Sequence, residues 1–214
     1  MKKAAERSVT EVRIVEAAVQ LFSRQGYKGT TTRQIAHLAG VNEATVFRCF
    51  ACKAEVFWAA AESRLNRLKL GRELQNGLAM DLEPEVVVPM LVKFLMENIS
   101  EDPELMRLLY VAEFEFPGAR RMLREHLGPI FDAVNAYFGR CSARGAICAL
   151  EPAFATLGLA GAVSAHCNLH HLFTGEDLVD VQALAPAYAQ FWLNALRRQA
   201  SGAPINADRR ETQS

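Results

Sequence analysis

Residues 31–50 read Thr31-Thr32-Arg33-Gln34-Ile35-Ala36-His37-Leu38-Ala39-Gly40-Val41-Asn42-Glu43-Ala44-Thr45-Val46-Phe47-Arg48-Cys49-Phe50. Thr31 followed three residues later by Gln34 has the form of a capping box, so a helix starts here. Ile35, Leu38 and Ala39 make its apolar face, and Gly40 closes it. Asn42 caps a second short helix that runs to Phe50 and buries Val46 and Phe50. Between them, Gly40 permits a sharp turn and Val41 plugs the joint. Ala36 is small enough to let the two helices approach closely. This is a helix-turn-helix pattern, and it turns Glu43, Ala44, Thr45, Phe47 and Arg48 outward. An exposed helix of that size fits the major groove of B-DNA.

Working outward, Val12, Val15, Val19 and Phe22 recur at helical spacing, with Ala18 and Leu21 widening the stripe. That first helix stops at Gly26, a left-handed cap in Gln25-Gly26-Tyr27-Lys28-Gly29. Past the pair, a fourth helix starts near Lys53 and runs long, through Val56, Phe57, Ala60, Leu65 and Leu68. Pro84 opens a helix reaching Asn98, and Asp102-Pro103-Glu104 opens another through Glu113. Pro117-Gly118 precedes a long helical pattern ending near Gly145, with a kink expected at Pro129. Pro152–Phe173 and Asp180–Gln199 are the last two helices. No run of period-two alternation occurs. The expectation is an all-α chain of about nine helices: a three-helix N-terminal domain and a larger helical bundle.

The chain has 214 residues, half of them hydrophobic and 22% charged, an ordinary globular balance. Its formal net charge of zero hides an asymmetry. Residues 1–70 hold 12 Lys+Arg and 6 Asp+Glu, while residues 71–214 hold 12 and 18. The basic third suits a polyanionic partner, because each neutralised phosphate releases condensed counterions. Met1–Glu16 lacks the apolar core of a secretory signal. The most apolar run, Ala153–Cys167, is too short to span a bilayer. Five scattered cysteines suit reduced thiols, so the expected location is cytoplasmic, with nucleoid association when DNA is bound.

From Ile14 to Phe57, about one fifth of the chain, the sequence resembles the N-terminal domain of the TetR family of bacterial transcriptional regulators. The resemblance lies in Ala17-Ala18, Leu21-Phe22, Gly26-Tyr27, Thr31-Thr32, Ile35-Ala36, Ala39-Gly40-Val41, Thr45-Val46-Phe47, Phe50 and Lys53. It implies a recognition helix with Asn42, Glu43, Ala44, Thr45, Phe47 and Arg48 facing DNA. Thr32 and Arg33 would sit over the phosphate backbone. Lys53 would add its charge to a helix N-terminus at one phosphate. Three positions depart from the family pattern. Phe47 stands where a Tyr usually bonds phosphate, Cys49 where His or Tyr is common, and Cys52 where an oxygen-bearing cap is expected.

The same resemblance implies a domain division at 1–52 for DNA binding and 53–200 for effector binding and dimerisation, and the polar composition of 201–214 implies a disordered tail. A two-fold operator needs two recognition helices about 34 Å apart, so a homodimer is expected. Gly158, Gly161, Ala162 and Ala165 allow close helix approach on one of the last helices, and Phe191, Trp192 and Leu196 supply larger partners on the other. The middle helices are rich in Met and aromatic residues. Met90, Phe94, Met106, Tyr110, Phe114, Phe131, Tyr137, His166 and His170 are the candidate lining of a pocket for a small apolar effector.

An effector bound there would shift the fourth helix and change the separation of the recognition helices, releasing a palindromic operator. The expected activity is therefore a ligand-responsive repressor, with no cofactor and no catalytic residue. No G-x-S-x-G, G-x-G-x-x-G, P-loop or Glu-x-x-His occurs. Two alternatives attach to specific residues. Cys49-x-x-Cys52 could act as a redox switch at the DNA-reading surface. In the His166–His171 cluster, His166/His170 and Cys167/His171 have metal-ligand spacing, against an expectation of core or interface histidines. The third alternative is a helical ligand-binding or enzymatic protein without DNA-binding activity.

Overall fold

The computed structural model describes residues 8–174 and 181–197, without the side chains at 168, 171, 172, 174, 181 and 182. The predicted tail at 201–214 lies outside the described residues, as does the side chain of His171. The described residues form ten helices and no strand. In order these are α1 (Val9–Gly29), α2 (Thr32–Ala39), α3 (Glu43–Cys49), α4 (Lys53–Leu65) and α5 (Arg72–Ala79). Then follow α6 (Pro84–Glu101), α7 (Pro103–Glu115), α8 (Ala119–Ala143), α9 (Pro152–Thr174) and α10 (Val181–Leu196).

Local chemistry fixes the first four helices. Ser8 and Glu11 form a capping box that starts α1. The buried face of α1 is Ile14, Val15, Ala17, Ala18, Val19 and Phe22. Val12, expected in that stripe, lies about 200° round the helix from Ile14 and is 46% exposed. Gly26 breaks the helical path with φ 70° and ψ 177°, a conformation that costs a residue with a Cβ. The chain continues beyond this kink as a further turn to Gly29. Thr31 and Gln34 make the predicted capping box of α2. Gly40 sits in the left-handed region at φ 64°, and the Val41 N–H donates to the Ala36 carbonyl at 3.0 Å. Leu38 falls on the flank of α2 and is exposed, so the inner face is Ile35, Ala36 and Ala39.

Other elements depart from the sequence reading. The fourth helix ends at Leu65 rather than near Leu68. Arg64 in its last turn is tied to other helices, and the chain then leaves through tightened turns at Arg67 and Leu68. The short helix α5 was not foreseen; only Leu74 and Leu78 mark its buried side, with Gly77 between them. Pro84 and Pro103 each occupy a first helical position, as expected. The helix α8 runs as one element through Pro129, which lies at an exposed position.

Two cores result. The first joins α1, α2 and α3 to Val56, Phe57 and Ala60 of α4, Leu108 and Ala112 of α7, and Ala119 of α8. Its centre is aromatic: Phe57 stacks on Phe116 with ring centroids 4.6 Å apart, and Tyr27 meets Phe116 edge-on at 4.7 Å. The second core gathers α5, α6, α8, α9 and α10 around Tyr137, Phe138, Val87, Val88 and Leu159. The N-terminal unit is therefore not packed on itself alone. One face of α7 completes its core.

Candidate nucleic-acid interface and effector cavity

The short helix α3 buries one residue, Val46, and Phe50 follows it into the core. Everything else on α3 faces outward or lies at the joint. The Asn42 side chain accepts from the Thr45 N–H at 2.8 Å and from the Thr45 hydroxyl at 2.7 Å, which starts the helix and aims Thr45. Asn42, Ala44, Phe47 and Arg48 are exposed, and Glu43 and Thr45 are partly so. The Thr32 hydroxyl donates to Glu43 Oε1 at 2.6 Å, which joins the first turn of α2 to the first turn of α3. Arg33 is exposed beside Thr32. Among the described residues neither Arg33 nor Arg48 has an ion pair. Both guanidinium groups are therefore available to phosphate or a base edge.

Lys53 is held differently. Its Nζ donates to the Tyr27 and Thr30 carbonyls, each at 2.9 Å, and stands 4.1 Å over the Tyr27 ring. It therefore buttresses the turn between α1 and α2 from the start of α4. Burial, with the Cys52 thiol beside it, raises the Tyr27 pKa above its ordinary value. Cys52 caps nothing with its thiol, and instead Glu55 Oε2 accepts from the Ala51 N–H at 2.6 Å. Cys49 is partly buried and Cys52 exposed, and both are free thiols.

Between α6, α7, α8 and α9 lies a cavity of about 230 Å³. Its wall is Leu68, Leu91, Phe94, Leu95, Ile99, Leu105, Met106, Leu109, Leu127, Ile130, Phe131, Val134, Leu159 and Ala160, with Asn98, Thr156 and Ser164 as the polar members. Among the described residues no charged side chain lines it. The Asn98 amide nitrogen donates to the Phe94 carbonyl at 2.7 Å, and the Thr156 hydroxyl to Pro152 at 3.1 Å. Of the predicted lining, Phe94, Met106 and Phe131 are present. Six predicted residues are elsewhere. Tyr110 and Phe114 project to the surface, Phe114 with 84% exposure. Met90 packs near Gly77. Tyr137 is fully buried in the second core and donates to the Leu82 carbonyl at 2.8 Å. His166 and His170 stack with centroids 5.8 Å apart, and His166 meets Tyr188 edge-on at 5.3 Å. Aliphatic residues supply most of the wall, and their spacing does not distinguish a cavity from a packed core.

The last two helices carry an exposed apolar row. Phe154, Leu157, Gly161, Ala165, Leu169 and Phe173 follow one another along α9, with Phe191 exposed on α10. Gly161 has open space where a Cβ would stand. Gly158 does not: a Cβ there would meet Trp192 at 3.0 Å, so this glycine serves the α9–α10 contact within the chain. Leu196, predicted at the dimer surface, is buried in the second core, and Ala162 and Trp192 are half-buried. Among the described residues no helix is long and apolar enough to cross a membrane, and no three His, Cys, Asp or Glu side chains gather where a metal could be held.

Residues 14–60 match the family model described as bacterial regulatory proteins, tetR family. The HTH-type transcriptional regulator YvkB of Bacillus subtilis (strain 168) is 26% identical over 153 residues, covering 60% of this chain and 81% of YvkB. The HTH-type transcriptional repressor NicS of Pseudomonas putida is 24% identical over 191 residues, covering 86% of this chain and 89% of NicS. Among solved structures, AibR in complex with isovaleryl coenzyme A and operator DNA superposes with a TM-score of 0.70 at 15% identity, covering 85% of this chain and 97% of AibR. That last likeness concerns the fold.

Proposed function

We propose that this chain, a TetR-family transcriptional regulator, is a homodimeric repressor that binds a palindromic operator through α3 and is released by a small, neutral, apolar effector. The observation that carries this reading is one chain holding both an outward recognition helix on a basic unit and an apolar cavity whose wall includes α7. Residues 1–52 supply the DNA contacts. Asn42, Glu43, Ala44, Thr45, Phe47 and Arg48 face the groove, with Thr32 and Arg33 over the backbone. Residues 53–200 supply the cavity and the partner surface. The second copy seats on Phe154, Leu157, Gly161, Ala165 and Phe191, because one α3 reads only one half-site. The protein acts by binding alone, in the cytoplasm where its operator lies.

The cavity limits the effector. A dry cavity of about 150 Å³ holds benzene, while drug-sized ligands occupy about 300–1,000 Å³. At about 230 Å³ the fit is a substituted monocyclic or short aliphatic molecule. An ionised group inside would lack a counter-charge, and burying it unpaired is costly. AibR, solved with both a ligand and an operator, is one protein of this fold in which the two sites coexist. The test follows the anisotropy of a labelled duplex bound by the purified protein during titration with toluene, phenol and benzoate. Release by the neutral probes, roughly 5–150-fold in affinity, is expected. Release by benzoate alone, or by none of them, would overturn the effector reading.

A further inference from the structure

The side chain of Arg64, at the end of α4, is only 8% exposed and meets three carboxylates from two other helices. Its Nη2 lies 2.9 Å from Glu16 of α1 and 2.9 Å from Glu104 of α7. Its Nε stands 3.7 Å from Asp102, the cap of α7. Arg67 adds a second cation, 2.9 Å from the other oxygen of Glu16. The cluster thus holds three acids and two bases at the meeting of α1, α4 and α7.

This cluster touches the cavity wall through covalent neighbours. Asp102 Oδ1 accepts from the backbone N–H of Leu105 at 3.1 Å, and Leu105 lines the cavity. Glu104 is flanked in sequence by Leu105 and Met106, both wall residues. Leu68, one turn beyond Arg64, is also in the wall. On the far side, Glu16 sits between Val15 and Ala17, both buried in the core that carries α2 and α3. The same helix α7 buries Leu108 and Ala112 in that core.

We infer that Arg64 and its carboxylate partners Glu16, Asp102 and Glu104 form the relay that makes DNA affinity depend on cavity occupancy. This rests on the effector reading above. A ligand seated against Leu105 and Met106 displaces the first turn of α7. That turn carries Asp102 and Glu104 away from Arg64, and Arg64 shares one guanidinium nitrogen between Glu104 and Glu16. Short charge-assisted bonds lose strength steeply with misalignment, so a small displacement is converted into a different seating of α1. Apolar contacts between α7 and α1 tolerate such sliding; the ionic cluster does not. Arg64 is a positioning residue, since it touches neither ligand nor DNA.

The test uses the cavity itself as the switch, so no ligand need be known. Ala160 lies on α9 and lines the same cavity as Leu105 and Met106 of α7. Ala160→Leu and Ala160→Phe fill the cavity progressively. In the native background they should weaken binding to an enriched duplex by about five-fold or more, the larger residue more strongly. In a Glu104→Gln background, which keeps shape and hydrogen-bonding capacity but removes the charge, the same fillings should change affinity less than two-fold. Arg64→Lys should uncouple in the same way. Thermal midpoints confirm that each variant is folded. A cluster serving only as glue would lower the midpoint of Glu104→Gln while leaving the filling effect intact, and that result overturns the relay alone. If filling the cavity leaves DNA binding unchanged in the native background, the effector reading itself is overturned, and the relay with it.

Discussion

The Thr32 hydroxyl donates a 2.6 Å hydrogen bond to Glu43 Oε1, so the two helices of the DNA-reading unit are joined at their first turns by one polar contact. The contact also fixes a negative charge on the face proposed to approach phosphate. Glu43→Gln keeps an acceptor for Thr32 and removes that charge. Two charges about 4 Å apart in water interact by about 1 kcal/mol, so affinity for random duplex should rise by roughly five-fold. A titration of a scrambled duplex by wild type and variant measures this. Unchanged affinity would place Glu43 outside the DNA-facing surface.

Arg48 and Lys53 should behave differently. Arg48 is exposed and has no ion pair among the described residues. Arg48→Ala should therefore leave the thermal midpoint unchanged and cost about 1–3 kcal/mol in specific binding. Lys53 holds two carbonyls, and hydrogen bonds to charged groups contribute about 1.5–3 kcal/mol each. Lys53→Met should lower the thermal midpoint measurably. The pair of melting curves separates a DNA contact from a structural brace.

Tyr137 contributes to the alkaline limit. Burial drives its pKa well above the ordinary value of 10.0, with the neighbouring Cys141 thiol adding to the effect. The unfolded chain therefore loses this proton first as pH rises. The stability contributed by the neutral phenol is complete below about pH 10 and is lost above it, at up to about 1.4 kcal/mol per pH unit. Urea unfolding between pH 8 and 11 should show that decline, and Tyr137→Phe should make it shallower. The variant itself should cost about 1 kcal/mol at neutral pH, through the lost bond to Leu82.

The exposed apolar row on α9 predicts an assembly defect without a folding defect. Leu157→Glu places a charge at an exposed position, so the monomer pays little. The variant should sediment as a single chain. Operator affinity should fall by at least about a hundredfold, because the second half-site is no longer delivered at high effective concentration. A dimer of unchanged strength would move the partner surface elsewhere.

The helix-turn-helix was legible because its signals are local. Thr31, Gln34, Gly40 and Asn42 each act within four residues, and the structure uses each of them. What was missed depends on distant partners. Arg64 is unremarkable in sequence, yet it meets Glu16 and Glu104, which lie 48 and 40 residues away. The small side chain at Gly158 pointed to a close helix approach, but its partner, Trp192, is in the same chain. Leu196 has an apolar side chain that suits either an interface or a core, and only the packing of α10 against α6 and α9 assigns it to the core. The cavity wall is mostly leucine and isoleucine, whereas the sequence reading favoured aromatic residues and methionines.

Selection of bound duplexes from a random pool by the purified full chain, at a stated salt concentration, tests the central claim most directly. An enriched motif with two-fold symmetry, its half-sites one helical turn or a multiple of it apart, is the result this account predicts. Enrichment of a single asymmetric site, or none at low salt in the presence of reductant, would contradict a dimeric operator reader.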